Sequence, residues 1–250
     1  MAPPLFSVRS EVQKNVVIIG TGAIASALAT HFSADLVGSH VTVLGRDIAK
    51  LQNPGVATRQ IDFLDESSIA DAASHVASIA AVDTVIVATG ILHDDAGLQP
   101  EKRLADLTPE NALQSFTVNA LAPTLIAKHM LPLMRKDRRN VFAALSARVG
   151  SIEDNRLGGW YSYRASKAAL NMFLKSASIE QARSNKHSIV VGLHPGTVDS
   201  NLSKPFQKNV PDGGLFEPNV AAGLLVEVLD RLTPESSGGV FAWDGTRVPA

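Results

Sequence analysis

Tyr163 and Lys167 stand four residues apart in Trp160-Tyr161-Ser162-Tyr163-Arg164-Ala165-Ser166-Lys167, a run that continues through Leu174 and reads as helix. One helical turn puts phenol and ammonium on the same face. An unperturbed tyrosine, with a pKa of about 10, exchanges protons poorly near neutrality. A fixed cation nearby favours the phenolate and lowers that value, which would make Tyr163 a general acid or base. The same spacing also describes a tyrosine stacked on a lysine stem, so the pair takes its meaning from the rest of the chain.

A second candidate lies near the start. Gly20-Thr21-Gly22-Ala23-Ile24-Ala25 follows the apolar run Val16–Ile19 and opens a helix over Ala23–Phe32. Glycines there allow a tight turn and close approach of a pyrophosphate, which the free N–H groups of the helix start can hold. The next strand, Val41–Leu44, ends in Gly45-Arg46-Asp47. An NAD site usually carries an acid at this tip for the ribose 2′-hydroxyl, whereas a 2′-phosphate needs a cation. Gly45 stands where the acid is expected, and Arg46 favours NADP(H) over NAD(H). Counting the tip one or two residues later makes Asp47 the ribose ligand and restores NAD.

The elements that must carry these residues alternate. Strand-like runs at Ala57–Phe63, Thr84–Ala88, Val141–Leu145, Ser188–Leu193 and Gly239–Trp243 are separated by helical periodicity at Ser67–Ala80, Pro109–Met134, Tyr163–Arg183 and Ala221–Leu232. This repetition predicts an α/β fold, a single doubly wound Rossmann-type domain with a mostly parallel sheet of about seven strands. The domain is expected over 15–250, after an N-terminal extension at 1–14, with a kink at Pro123 and a substrate loop at about 199–217. With 250 residues, 45% hydrophobic and 19% charged, the chain can bury a large core. A net charge of −1 without a basic block speaks against nucleic acid. No apolar run reaches membrane length, and the N-terminus lacks a signal-peptide core, so a cytoplasmic protein with no membrane partner is expected.

These motifs together resemble the short-chain dehydrogenase/reductase family over nearly the whole chain, and within it the bacterial C-factor-like, cell-to-cell signalling branch. The glycine turn, Val118-Asn119-Ala120, Leu145–Ile152, Gly158–Asn171 and Pro195-Gly196-Thr197-Val198 carry the resemblance. It implies that Tyr163 donates a proton to a carbonyl during hydride transfer, or accepts one from an alcohol. Lys167 would lower the Tyr163 pKa and bind the nicotinamide ribose, while Asn119 would help hold a water linked to the lysine. Gly20, Gly22, Ala23 and Ile24 would cradle the pyrophosphate, with Arg46, Asp62 and Gly90 along the adenosine. Pro195, Gly196, Thr197 and Val198 would cover the nicotinamide. A homodimer or homotetramer through the two long helices is also implied.

Three departures stand against the family pattern. Ala23 and Ala25 replace glycines in a shortened turn. Ala88-Thr89-Gly90 replaces an asparagine-bearing motif. The fifth strand ends Ser146-Ala147-Arg148-Val149-Gly150, which puts Ala147 in the slot of the family's catalytic serine. Ser146 is the nearest hydroxyl and is expected to take that role, with Ser151 as the alternative, although adjacent strand residues face opposite ways.

Seven histidines and no cysteine invite a metal hypothesis, but no metal-binding spacing appears, and His93-Asp94-Asp95 reads as a solvated loop. The expected function is an NAD(P)-dependent oxidoreductase acting on a small carbonyl or alcohol. Its first rival is a dinucleotide-binding sensor with little turnover. A second, a methyltransferase using the same glycine turn, leaves Tyr163 and Lys167 without a role.

Overall fold

The computed structural model describes residues 13–35, 39–51 and 56–250, so residues 1–12 of the expected N-terminal extension lie outside the described residues. Runs of Val, Ile and Leu give β1 (Asn15–Ile19), β2 (His40–Gly45), β4 (Thr84–Val87), β5 (Asn140–Leu145) and β6 (Ser188–His194), with β3 (Ala57–Gln60) and β9 (Val240–Ala242) at the edges. They form one sheet in the order β3-β2-β1-β4-β5-β6-β9, and every pairing is parallel.

Both faces of the sheet are apolar because both are covered. Val17, Ile19, Val85, Val87, Phe142 and Val190 point to one face, under α2 (Glu66–Ile79), α4 (Ala122–Met130) and α5 (Tyr161–Ser184). Their alternate neighbours Val16, Ile18, Ile86, Val141, Ile189 and Val191 point to the other, under α1 (Ala23–Asp35) and α6 (Pro218–Arg231). The expected period-two alternation of side chains therefore builds two cores back to back.

Register sets where the chemistry can occur. Ile19 pairs with both Leu44 and Val87, Val87 with Ala144, and Leu145 with Leu193. Gly20, Gly45, Ala88, Ser146 and His194 therefore leave the sheet along one edge. The strand order reverses between β1 and β4, where such sheets open a crevice.

The long helix, expected to kink at Pro123, departs from regular α-helix just before that residue. It runs as α3 (Pro109–Phe116), a widened turn at Thr117–Leu121, and then α4. Pro123 has no N–H to return to the carbonyl of Asn119, and the ladder accommodates this one turn earlier, with Ala122 N–H bonding back to Thr117. The Pro195–Pro218 stretch, expected as plain loop, holds the short parallel pair β7 (Thr197–Val198) and β8 (Leu215–Phe216) and a 3₁₀ turn at Lys204–Asn209. Among the described residues, no helix is long and apolar enough to cross a membrane.

Candidate active site

Two cavities along the C-terminal edge of the sheet share Thr21, Gly22 and Ala88–Ile91, forming one continuous crevice. The lobe over β1 and β2 has a volume of about 840 Å³ and is lined by Gly20, Arg46, Asp47 and Phe63 among others. The lobe over β4 to β6, about 560 Å³, is lined by Ala23, Ile24, Leu145, Ser146, Tyr163, Lys167 and Pro195. A third cavity, at the opposite edge, is lined by Asp83, Arg135 and Arg138, whose side chains pair with one another.

Gly20 lies at φ +130, and a side chain there would meet the Ala88 carbonyl oxygen at 2.8 Å, so the β1 turn can pass beside β4 only as glycine. Around Gly22 a Cβ would meet nothing within 4 Å, leaving open space at the start of α1 for an anion on its free N–H groups. A Cβ at Gly45 would lie 2.3 Å from Thr21 Cγ2, so a side chain at this strand tip would require the Thr21 methyl to move. Arg46 instead lays its guanidinium 4.6 Å from the centre of the Phe63 ring, at the mouth of the same lobe. The residues present therefore fit a dinucleotide.

Tyr163 and Lys167 share one face of α5 and line the second lobe together, with the ammonium 5.8 Å from the centre of the phenol ring. Lys167, 3% exposed, donates a 2.8 Å hydrogen bond to the Leu145 carbonyl at the end of β5. Here the sequence expectation is corrected: the pKa of Tyr163 is not lowered. Burial pushes the phenol up to about 12 and the ammonium down to about 8, because loss of water disfavours the charged form of each. In this arrangement Tyr163 is a neutral phenol.

Ser146 borders the same lobe, but its hydroxyl donates to Asn171 Oδ1 at 2.6 Å, one turn beyond Lys167. Ser151 is remote from the crevice lining, bonding the Ala250 carbonyl and accepting from Asp154 N–H. Asn119 is fully buried behind the crevice wall: its Oδ1 accepts from Ile91 N–H, and its Nδ2 donates to the Ile91 carbonyl and to Ser166 Oγ. Asp62 accepts from Leu64 N–H and is not part of the crevice lining. Of the run Pro195-Gly196-Thr197-Val198, Pro195 alone lines the crevice, and the lining resumes at Ser200, Asn201 and Leu202.

Ser200–Leu202 fall within the expected substrate loop, whereas Thr21, Ile91, Leu92 and His93 are lining residues that motif reading missed. The signal for them was positional, since each follows a strand at the same sheet edge. His93 is bonded through Nε2 to the Asn201 carbonyl at 3.0 Å, joining the loop after β4 to the 199–217 loop. Asp94 accepts from Ala96, Leu98 and Gln114. Among the described residues, no cluster of three metal-ligating side chains occurs.

The entrance to α5 is strained. Trp160, its N-cap residue, is left-handed at φ 52 and ψ 44, a conformation that costs a non-glycine residue about 1–3 kcal/mol. Gly158 and Gly159 precede it at φ 63 and 64. The Trp160 ring stands edge-on to Tyr163 at 6.1 Å and to Phe206 at 5.1 Å.

A family model described as short chain dehydrogenase matches residues 14–211. The C-signal protein of Myxococcus xanthus is 38% identical over 146 residues, covering 58% of this chain and 82% of that protein. An uncharacterised oxidoreductase of Schizosaccharomyces pombe is 28% identical over 208 residues, 79% of each chain. In fold, the chain is similar to the carbonyl reductase Sniffer of D. melanogaster, with a TM-score of 0.82 and 20% identity over 96% of this chain and all of that one. The NADPH-bound carbonyl reductase from chicken fatty liver superposes equally well, at a TM-score of 0.82 and 22% identity over the same shares. The chain belongs to the short-chain dehydrogenase family.

Proposed function

We propose that this protein is an NADP(H)-preferring oxidoreductase that reduces the carbonyl group of a small molecule, or oxidises the corresponding alcohol. The observation that carries the reading is the pairing of Tyr163 with Lys167 in a crevice continuous with the glycine turn of β1. The bound nicotinamide dinucleotide supplies or accepts the hydride. Tyr163 gives its proton to the carbonyl oxygen during reduction and takes one from the alcohol in the reverse direction. Lys167 holds the ribose and sets the field at the phenol. Ser146 polarises the carbonyl once its hydroxyl turns from Asn171, and Asn119 keeps the Ile91 segment in register with α5.

Arg46, stacked on Phe63 beside a strand tip that carries glycine in place of an acid, supports recognition of a 2′-phosphate and thus NADP(H) over NAD(H). The substrate enters under the 199–217 loop. Apart from Lys167 and the imidazole of His93, the lining of this lobe offers no ionisable nitrogen or carboxylate, which suits an uncharged, modestly apolar carbonyl compound. Leu113, Phe116 and Leu121 of the long helix and Met172, Phe173 and Ile179 of α5 are exposed, and they suit pairing of two copies as a homodimer or homotetramer. Purified protein tests the reading: NADPH titration should quench its tryptophan fluorescence, and a panel of carbonyl compounds should consume NADPH. Binding without turnover on any carbonyl would favour a sensor instead.

A further inference from the structure

Glu101 is 2% exposed, and none of the ion pairs among the described residues includes it. Burial of such a carboxylate is tolerated only when its oxygens are satisfied by donors. Both oxygens go to Ser162 in the first turn of α5: Oε2 accepts from the backbone N–H at 3.1 Å and Oε1 from the hydroxyl. The Glu101 carbonyl also accepts from Trp160 N–H at 2.5 Å. A helix start leaves N–H groups without partners, and Trp160 provides no side-chain cap of its own. A residue 61 positions upstream supplies the cap through its carboxylate, and its backbone carbonyl holds the N–H of the left-handed tryptophan two residues earlier.

The consequence reaches the crevice. The fixed indole stands between the Tyr163 ring and Phe206, and Phe206 in turn contacts His93, which lines the catalytic lobe. We propose that Glu101 is a positioning residue: its carboxylate locks Trp160 as a wedge that orients Tyr163 and seats the 199–217 loop at Phe206. The effect on turnover rests on the reductase reading above, whereas the effect on Trp160 does not.

Two tryptophans are present, so a Trp243→Phe background leaves Trp160 as the sole indole. In that background Glu101→Gln and Glu101→Ala should shift Trp160 emission to the red and increase its quenching by acrylamide. NADPH affinity should hold, while kcat for carbonyl reduction falls by about 10- to 100-fold, the scale expected when a reacting group is misplaced. Glu101→Asp, which keeps the charge, should recover part of both. Ser162→Ala removes one bond without emptying the carboxylate site, and it should move emission and kcat in the same direction by less. It also decides the matter should the Glu101 variants fail to fold. Unchanged Trp160 emission in variants that fold would overturn the proposal, even if thermal stability fell, because the cap would then act on the helix alone. Were the parent protein inactive on all carbonyls, the reductase reading would fail while the emission data still judged the wedge.

Discussion

Lys167 and Leu145 are joined by a 2.8 Å hydrogen bond that runs from a buried ammonium to the last carbonyl of β5, pinning the helix of Tyr163 to the sheet edge where the crevice opens. Burial holds the ammonium down to about 8, against an ordinary value of 10.5. Between those values the unfolded chain keeps a proton that the folded protein has released, so stability contributed at this site rises with pH across the window. The stability of the parent protein relative to Lys167→Met should therefore grow by about 2 kcal/mol between pH 8 and 10, measured by urea unfolding. A constant or shrinking difference would show that the ammonium is not depressed.

The hydroxyl of Ser146 donates to Asn171 Oδ1. In the proposed reaction it is the second donor to the carbonyl and matters chiefly for the chemical step, so Ser146→Ala should lower kcat by about 100- to 1000-fold with little change in NADPH affinity. Steady-state kinetics checks this. An unchanged kcat would leave the serine as a tie between β5 and α5.

The proposed preference for NADP(H) can be tested at the tip of β2. Gly45→Asp places the acid an NAD site uses, but its Cβ meets Thr21 Cγ2. The single variant should lose affinity for both cofactors, whereas Gly45→Asp with Thr21→Gly and Arg46→Ala should reverse the preference toward NADH. Fluorescence titration with NADPH and NADH reads the result, and NADH preference from Gly45→Asp alone would contradict the argument.

His194 is held down to about 4, first by burial and then by the Arg148 cation, with Asp244 opposing. Its Nδ1 is buried without a hydrogen-bond partner. As pH falls from 6.5 to 4, the unfolded chain gains a proton that the folded state refuses, and stability is lost across that window. His194→Leu should remove up to about 3 kcal/mol of this acid loss. Equilibrium unfolding at pH 7 and pH 4 would show parallel losses in both proteins if the imidazole were not involved.

Much of this architecture could be read from local signals. Thr84–Val87 is β-branched and apolar and became a central strand, and the Tyr163–Lys167 spacing gave one face of a helix, because periodicity is a property of adjacent residues. What escaped depended on partners distant in sequence. The direction of the Tyr163 shift follows from how deeply α5 packs, and a pair of residue types carries no measure of burial. The commitment of Ser146 to Asn171 spans 25 residues, and the capping of α5 by Glu101 spans 61. Pro123 did mark a disturbed helix, but the widening settled at Thr117–Leu121, where the ladder could yield.

Substitution of Tyr163→Phe removes one oxygen and leaves the ring against Trp160 in place. Measured side by side, NADPH binding and NADPH-dependent carbonyl reduction should separate: affinity within a few-fold of the parent, and kcat lower by about 100- to 10,000-fold, the span of general acid catalysis. Reduction at the parent rate by the phenylalanine variant would contradict the account at its centre.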